Sequence, residues 1–163
     1  MTISTGDKLP ASALLRMGDQ GPETVDLAAT AAGRKIVIFA VPGAFTPTCH
    51  SAHVPSFMRN MDALRAKGVD EVICYSVNDP FIMKSWGEVS GASDAGITML
   101  ADADAAFTKS MGLEFSAPPV GLYDRPKRVA MIVEDGTVTA LHIDEDAGTC
   151  VTTAGEAILE ALG

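Results

Sequence analysis

Cys49 stands in the stretch "VPGAFTPTCH", residues 41–50, three positions after Thr46 and seven after Pro42. The loop follows an apolar strand and opens a helix. Unpaired backbone N–H groups and the helix dipole favour an anion at such a place, and thiol acidity rises there. The thiolate is the nucleophile. The Thr46 hydroxyl can donate to a thiolate and accept from a substrate O–H. Pro42 and Pro47 remove N–H donors and stiffen the loop, and Gly43 permits an unusual backbone angle or a close approach. "TPTC" has threonine where a C-x-x-C motif has its first cysteine, so dithiol exchange by that motif is unavailable. A single activated thiol can still attack an electrophile such as a peroxide oxygen. It becomes a sulfenic acid, which a second thiol can condense with.

A lone cysteine is more often a small core hydrophobe, but Thr-Pro-Thr is poor company for a packing residue. Cys74, in the apolar run "EVICYSV", reads the other way, as packing. Cys150 lies in "DAGTCVTT", a glycine-containing loop before the last helix. His50 and His53 crowd Cys49, yet neighbours on a helix point apart and no complete metal-ligand set accompanies them, so no metal and no cofactor are expected. His53, one turn on from Cys49, is expected to hydrogen-bond near the site. His142 reads as structural or surface. As the base of a cysteine protease it has no specific support.

The elements that position this loop must come from 163 residues, long enough for a real core and read as one domain over 1–163. Hydrophobic residues are 47% and charged residues 20%, a globular composition. A net charge of −9 opposes nucleic-acid and anionic-lipid binding. No stretch approaches the roughly 20 apolar residues of a membrane span. "MTISTGDKLP" has neither the basic start nor the apolar core of a signal peptide. Three cysteines are too few and odd in number for a secreted disulfide framework, which points to a reducing, cytoplasmic compartment.

"ALLRM" and "ETVDL" form a hairpin around Gly18, Gly21 and Pro22, and "DLAATAAG" a short helix. "KIVIFAV" and "EVICYSV" are continuous β-branched runs of fully buried strands. Between them, Val54, Phe57, Met58, Met61 and Leu64 make one helical stripe ended by Gly68, with a kink or broken first turn at Pro55. "DPFIMKSWGEV" is a helix capped by Asp79. "ITMLAD" is a strand, and "ADAAFTKSMG" a short helix. "RVAMIVE" and "TVTALHI" flank Asp135-Gly136, a strong hairpin signal. Thr153 and Glu156 form a capping box for a last helix with Ala154, Ile158, Leu159 and Leu162 on its apolar face. This order predicts an α/β domain, with a mixed sheet parallel at its centre and antiparallel at the hairpin.

"PGAFTPTCH" resembles the active-site loop of the peroxiredoxins, of the peroxiredoxin-5 or type II branch (atypical two-cysteine). "GDKLP", "AHVPSF", "SVNDPFIMKSW", "LADADAAF" and "KRVAMIVEDG" resemble segments of that branch in the same order, over nearly the whole chain. The resemblance implies a thioredoxin-like fold with an N-terminal hairpin extension. It implies reduction of hydrogen peroxide and alkyl hydroperoxides, with Cys49 as peroxidatic cysteine, Thr46 orienting the peroxide and Pro42 shielding the thiolate. The family's arginine matches Arg128, with Arg125 as a rival. Many relatives have an aromatic after that arginine, where this chain has Val129. The resolving thiol is Cys150, Cys74 or an external thiol. The reductant is thioredoxin, or glutathione with glutaredoxin, and a homodimer is implied. The alternative from another class is a non-catalytic thioredoxin-like sensor or partner-binding module.

Overall fold

A computed structural model describes residues 2–163. In chain order the strands are β1 (Leu14–Gly18), β2 (Gly21–Val25), β3 (Lys35–Ala40), β4 (Glu71–Ser76), β5 (Thr98–Ala101), β6 (Glu114–Ala117), β7 (Leu122–Pro126), β8 (Arg128–Glu134) and β9 (Thr137–Asp144). The helices are α1 (Leu27–Ala31), α2 (Val54–Met58), α3 (Met61–Ala66), α4 (Pro80–Ser90), α5 (Ala106–Ser110) and α6 (Gly155–Ala161), with a π turn at Cys49–His53.

The two β-branched runs take the centre. β3, β4 and β5 are parallel, and β3 and β4 are buried along almost their whole length. A strand covered on both faces has no reason to alternate apolar with polar. β8 joins β3 antiparallel and β9 joins β8, while β1 and β2 extend the other edge, giving the order β2-β1-β5-β4-β3-β8-β9. Asp135 and Gly136 both take positive φ, 49° and 79°, as a two-residue turn matched to strand twist requires. α2, α3, α4 and α6 cover one face through Phe57, Leu64, Trp86 and Ile158. α1 and α5 cover the other through Leu27, Ala31 and Phe107. The expected mixed sheet and N-terminal hairpin are present.

Two local expectations need correction. The single helix over the 54–64 stripe is two helices. Asn60 donates through its side-chain amide to the Ser56 carbonyl at 2.7 Å, taking the acceptor its own N–H would use, and its N–H turns to Phe57 instead. The broken first turn does occur: Val54 N–H reaches back to Cys49 O in a π turn, just before Pro55, which has no N–H to give. The Thr153–Glu156 capping box does not form. The Thr153 hydroxyl donates to Asp144, Glu156 pairs with Arg59 and Asn60, and the Gly155 N–H at the helix start is met by Ser56 Oγ at 2.9 Å. Finally, the sequence reading contains no counterpart of β6 and β7, a separate two-stranded sheet packed beside the Cys49 loop.

Candidate active site

The chain leaves β3 at Ala40 and crosses the 42–48 loop into the π turn, where Cys49 is fully buried. The loop is held from three sides. Thr46 Oγ1 donates to Gly43 O at 2.7 Å, Ala44 N–H donates to Asn78 Oδ1 at 3.0 Å, and Arg125 Nη1 donates to Pro42 O at 3.0 Å. Gly43 makes the last contact available: a Cβ there would lie 2.8 Å from Arg125 Nη1 and 3.1 Å from Thr46 Cγ2. Its φ is not in the left-handed region, so close approach is the reason for glycine here.

Arg128 begins β8, opposite Asp144, and is 1% exposed. Its Nη2 donates to Cys49 Sγ at 3.2 Å and to Ala147 O at 2.7 Å. Its Nη1 donates to His53 Nδ1 at 2.9 Å, while Nε has no protein partner. His53 Nε2 lies 3.0 Å from Thr153 O. A carbonyl accepts and a guanidinium donates, so the ring carries its proton on Nε2 and accepts at Nδ1. Burial, reinforced by the Arg128 charge, lowers His53 from 6.5 to about 3, so it is neutral. Thus a cationic fork contacts the sulfur with no carboxylate to draw it away.

Of the two candidate arginines, Arg128 reaches the sulfur and Arg125 reaches the loop. Burial lowers the Arg125 pKa, and the charge of Cys49 works against that shift. Cys74 lies on β4 in register with Phe39 and Met99, inside the core. Burial pushes its thiol well up, with the Cys49 charge adding to the effect. Cys150 is half-buried in the loop before α6. Burial raises its thiol too, against the pull of Thr153 and Arg128. His142 donates from Nδ1 to Thr152 O at 2.7 Å, away from the sulfur. Among the described residues no three His, Cys, Asp or Glu side chains gather as a metal site.

A mostly apolar cavity of about 450 Å³ opens beside the thiol, lined by Pro42, Thr46, Pro47, Leu122 and Arg128 among others. Thr46 and Arg128 supply polar groups to an otherwise largely apolar wall. Sequence reasoning missed Asn78, the Ala147 carbonyl, and the bond from Trp86 Nε1 to His50 Nδ1 at 3.0 Å. None belongs to a periodic pattern. Each sits on an element remote from the loop in sequence.

The sequence model of the Redoxin family matches residues 4–158. Peroxiredoxin-2E-2, chloroplastic, from Oryza sativa subsp. japonica is 44% identical over 99% of this chain and 73% of its own length. The chain belongs to the peroxiredoxins, in their type II branch. A crystal structure of reduced Prx3 in complex with hydrogen peroxide from Vibrio vulnificus superposes with a TM-score of 0.93 at 42% identity, covering 99% of this chain and all of that one. Peroxiredoxin 5 from Alvinella pompejana follows at 0.84 and 28%, over 98% and 97% of the two chains. The peroxiredoxin described here has the thioredoxin-like fold of that family and is a thiol-dependent peroxidase, not a non-catalytic module. No helix among its described residues is long and apolar enough to cross a membrane.

Proposed function

We propose that Cys49 is the peroxidatic thiol, and that Arg128, Thr46 and Pro42 form its peroxide site. The carrying observation is the 3.2 Å contact from Arg128 Nη2 to Cys49 Sγ beside the cavity. The thiolate attacks the distal oxygen in line and the O–O bond breaks. The distal oxygen stays on sulfur as Cys49–SOH, and the other leaves as water or alcohol after taking a proton. Thr46 already gives its hydroxyl proton to Gly43 O, so its free lone pair accepts the peroxide O–H. The Arg128 fork stabilises charge developing on the oxygens, as an oxyanion hole does. Holding both reactants in this geometry lowers the barrier further. Pro42 covers the sulfur from water.

Cys150 resolves the sulfenic acid in this reading. It is half-buried in a loop, whereas Cys74 is locked in a central strand. Disulfide geometry tolerates only short separations, and in this reading the π turn unwinds to let the two sulfurs meet. Thioredoxin then reduces the disulfide. Glutathione with glutaredoxin is the second reading, for the case where Cys49 is resolved from outside. Two copies pair through exposed apolar side chains near the cavity mouth, Phe45 and Val120. Three unpaired cysteines suit a reducing, cytoplasmic setting.

The test is mass spectrometry after one equivalent of peroxide. A Cys49–Cys150 linkage is expected. Cys150→Ser keeps the first turnover and loses thioredoxin-driven recycling. Normal recycling by that variant overturns the assignment of Cys150.

A further inference from the structure

The loop from β9 to α6, which carries Cys150, is fastened at both ends. At its start it lies over the Cys49 site: Arg128 Nη2 donates to Ala147 O at 2.7 Å, and Thr48 Oγ1 donates to Gly148 O at 2.9 Å. At its end one carboxylate collects the chain. Asp144 accepts from Val151 N (3.0 Å), Thr152 N (3.1 Å), Thr152 Oγ1 (2.8 Å), Thr153 N (3.2 Å) and Thr153 Oγ1 (2.6 Å). Asp144 is 7% exposed, and among the described residues it enters no ion pair. Its acceptor capacity goes to these three residues. Between the two fastenings sits Cys150, whose Sγ is 3.9 Å from Thr153 Oγ1. Since the Thr153 proton is given to Asp144, the thiol is the donor in that weak contact.

The two fastenings differ in how they depend on the turn that carries Cys49. Thr48 adjoins Cys49, so unwinding the turn releases Gly148. The five Asp144 bonds involve no residue of the turn and stay, whereas the turn itself reaches this end of the loop only at its last residue, where His53 Nε2 donates to Thr153 O at 3.0 Å. Cys150 is then freed on its N-terminal side as far back as Ala147, which Arg128 still holds, while Val151, its next neighbour, remains pinned.

We infer that Asp144 is a positioning residue for resolution: its carboxylate fixes residues 151–153 as the pivot on which Cys150 swings to oxidised Cys49. The inference rests on the reading of Cys150 as resolving thiol. In that step the Cys150 sulfur attacks Cys49 Sγ and the S–O bond breaks. The hydroxide leaves with the Cys150 proton as water. Cys150 is oxidised, and the sulfenic sulfur is reduced to the disulfide. A fixed pivot confines the search of Cys150. Loosening two or three residues slows closure by about tenfold or more, through the backbone freedom regained.

The experiment uses the full chain, mixed rapidly with one equivalent of hydrogen peroxide, quenched at intervals and read by intact mass. Sulfenic acid and disulfide are followed separately. In Asp144→Asn, sulfenic acid should form at the wild-type rate, and the disulfide about tenfold more slowly. An unchanged disulfide rate overturns the inference, and so does equal slowing of both steps, which marks a merely structural residue. Should Asp144→Asn fail to fold, Thr152→Val decides in the same assay. It removes one hydroxyl donor and keeps the backbone bonds, so only the disulfide step should slow, and no slowing overturns the inference. If the wild-type protein forms no Cys49–Cys150 disulfide, the reading of Cys150 falls first and this inference falls with it.

Discussion

His53 accepts a hydrogen bond from Arg128 at 2.9 Å and passes one on to the Thr153 carbonyl at 3.0 Å. The pair fixes the guanidinium in orientation without neutralising it. A carboxylate in place of His53 would compete with the sulfur for the same positive charge. A neutral imidazole leaves that charge directed at Cys49, and it ties β8 to the chain just before α6.

The cost of keeping His53 neutral appears in stability against pH. His53 binds a proton near 6.5 when unfolded and only near 3 when folded. Between those values the unfolded chain holds more protons, so stability falls as pH drops below about 6.5 and is complete above it. Thermal unfolding between pH 7.5 and 4.5 should show that decline. In His53→Gln the slope should be flatter, whatever the midpoint at pH 7. Equal slopes would contradict the assignment.

Asp144 adds to the same profile at lower pH. Its desolvation acts to raise the pKa, but donors from Thr153, Val151 and Thr152 prevail and hold it down from 3.8 to about 2. A depressed carboxylate contributes stability above its unfolded value, and that contribution is lost as pH falls towards 2. In Asp144→Asn the loss between about pH 4 and 2 should be smaller than in the wild type. Acid-induced unfolding followed by circular dichroism checks it.

Arg128 and Arg125 should separate cleanly in peroxide kinetics. Arg128→Lys keeps a charge but loses the fork that spans Sγ, His53 and Ala147. The second-order rate with hydrogen peroxide should drop by about a hundredfold or more, as for loss of an oxyanion donor. Arg125→Lys alters only the support of Pro42 O. It should cost no more than about tenfold, the range of one ordinary hydrogen bond.

Thr46 offers a test of hydroxyl against methyl. Thr46→Ser keeps the bond to Gly43 O and the free lone pair, and should stay within a few-fold of wild type. Thr46→Val removes both and should slow peroxide reduction by about ten- to a hundredfold. The same stopped-flow comparison measures both.

Much of the fold could be read because its centre is buried on both sides. Runs such as 35–41 and 71–77 have no amphipathic alternative, and Asp135-Gly136 admits one kind of turn. Cys49, Thr46 and Pro42 were legible as candidates because they share one loop. Arg128 needed the family resemblance to pick it from Arg125, and the structure separates the two by what each touches. β6 and β7 were not legible: "EFSAPPVGLYDRP" is interrupted by prolines, and its strands pair only with each other. The false capping box has a similar cause. Thr153 does carry a capping hydroxyl, but Asp144, brought near by β9, claims it first. Sequence spacing records local partners and is silent on competitors delivered by the fold.

The most direct measurement is stopped-flow mixing with stoichiometric hydrogen peroxide. Emission of Trp86, the single tryptophan, can be followed there because its Nε1 donates to His50 beside Cys49. The proteins to compare are wild type, Cys49→Ser, Cys74→Ser and Cys150→Ser. The site described here predicts a first oxidation far faster than that of free cysteine in wild type, Cys74→Ser and Cys150→Ser, and none in Cys49→Ser. Rapid consumption of one equivalent of peroxide by Cys49→Ser would contradict it.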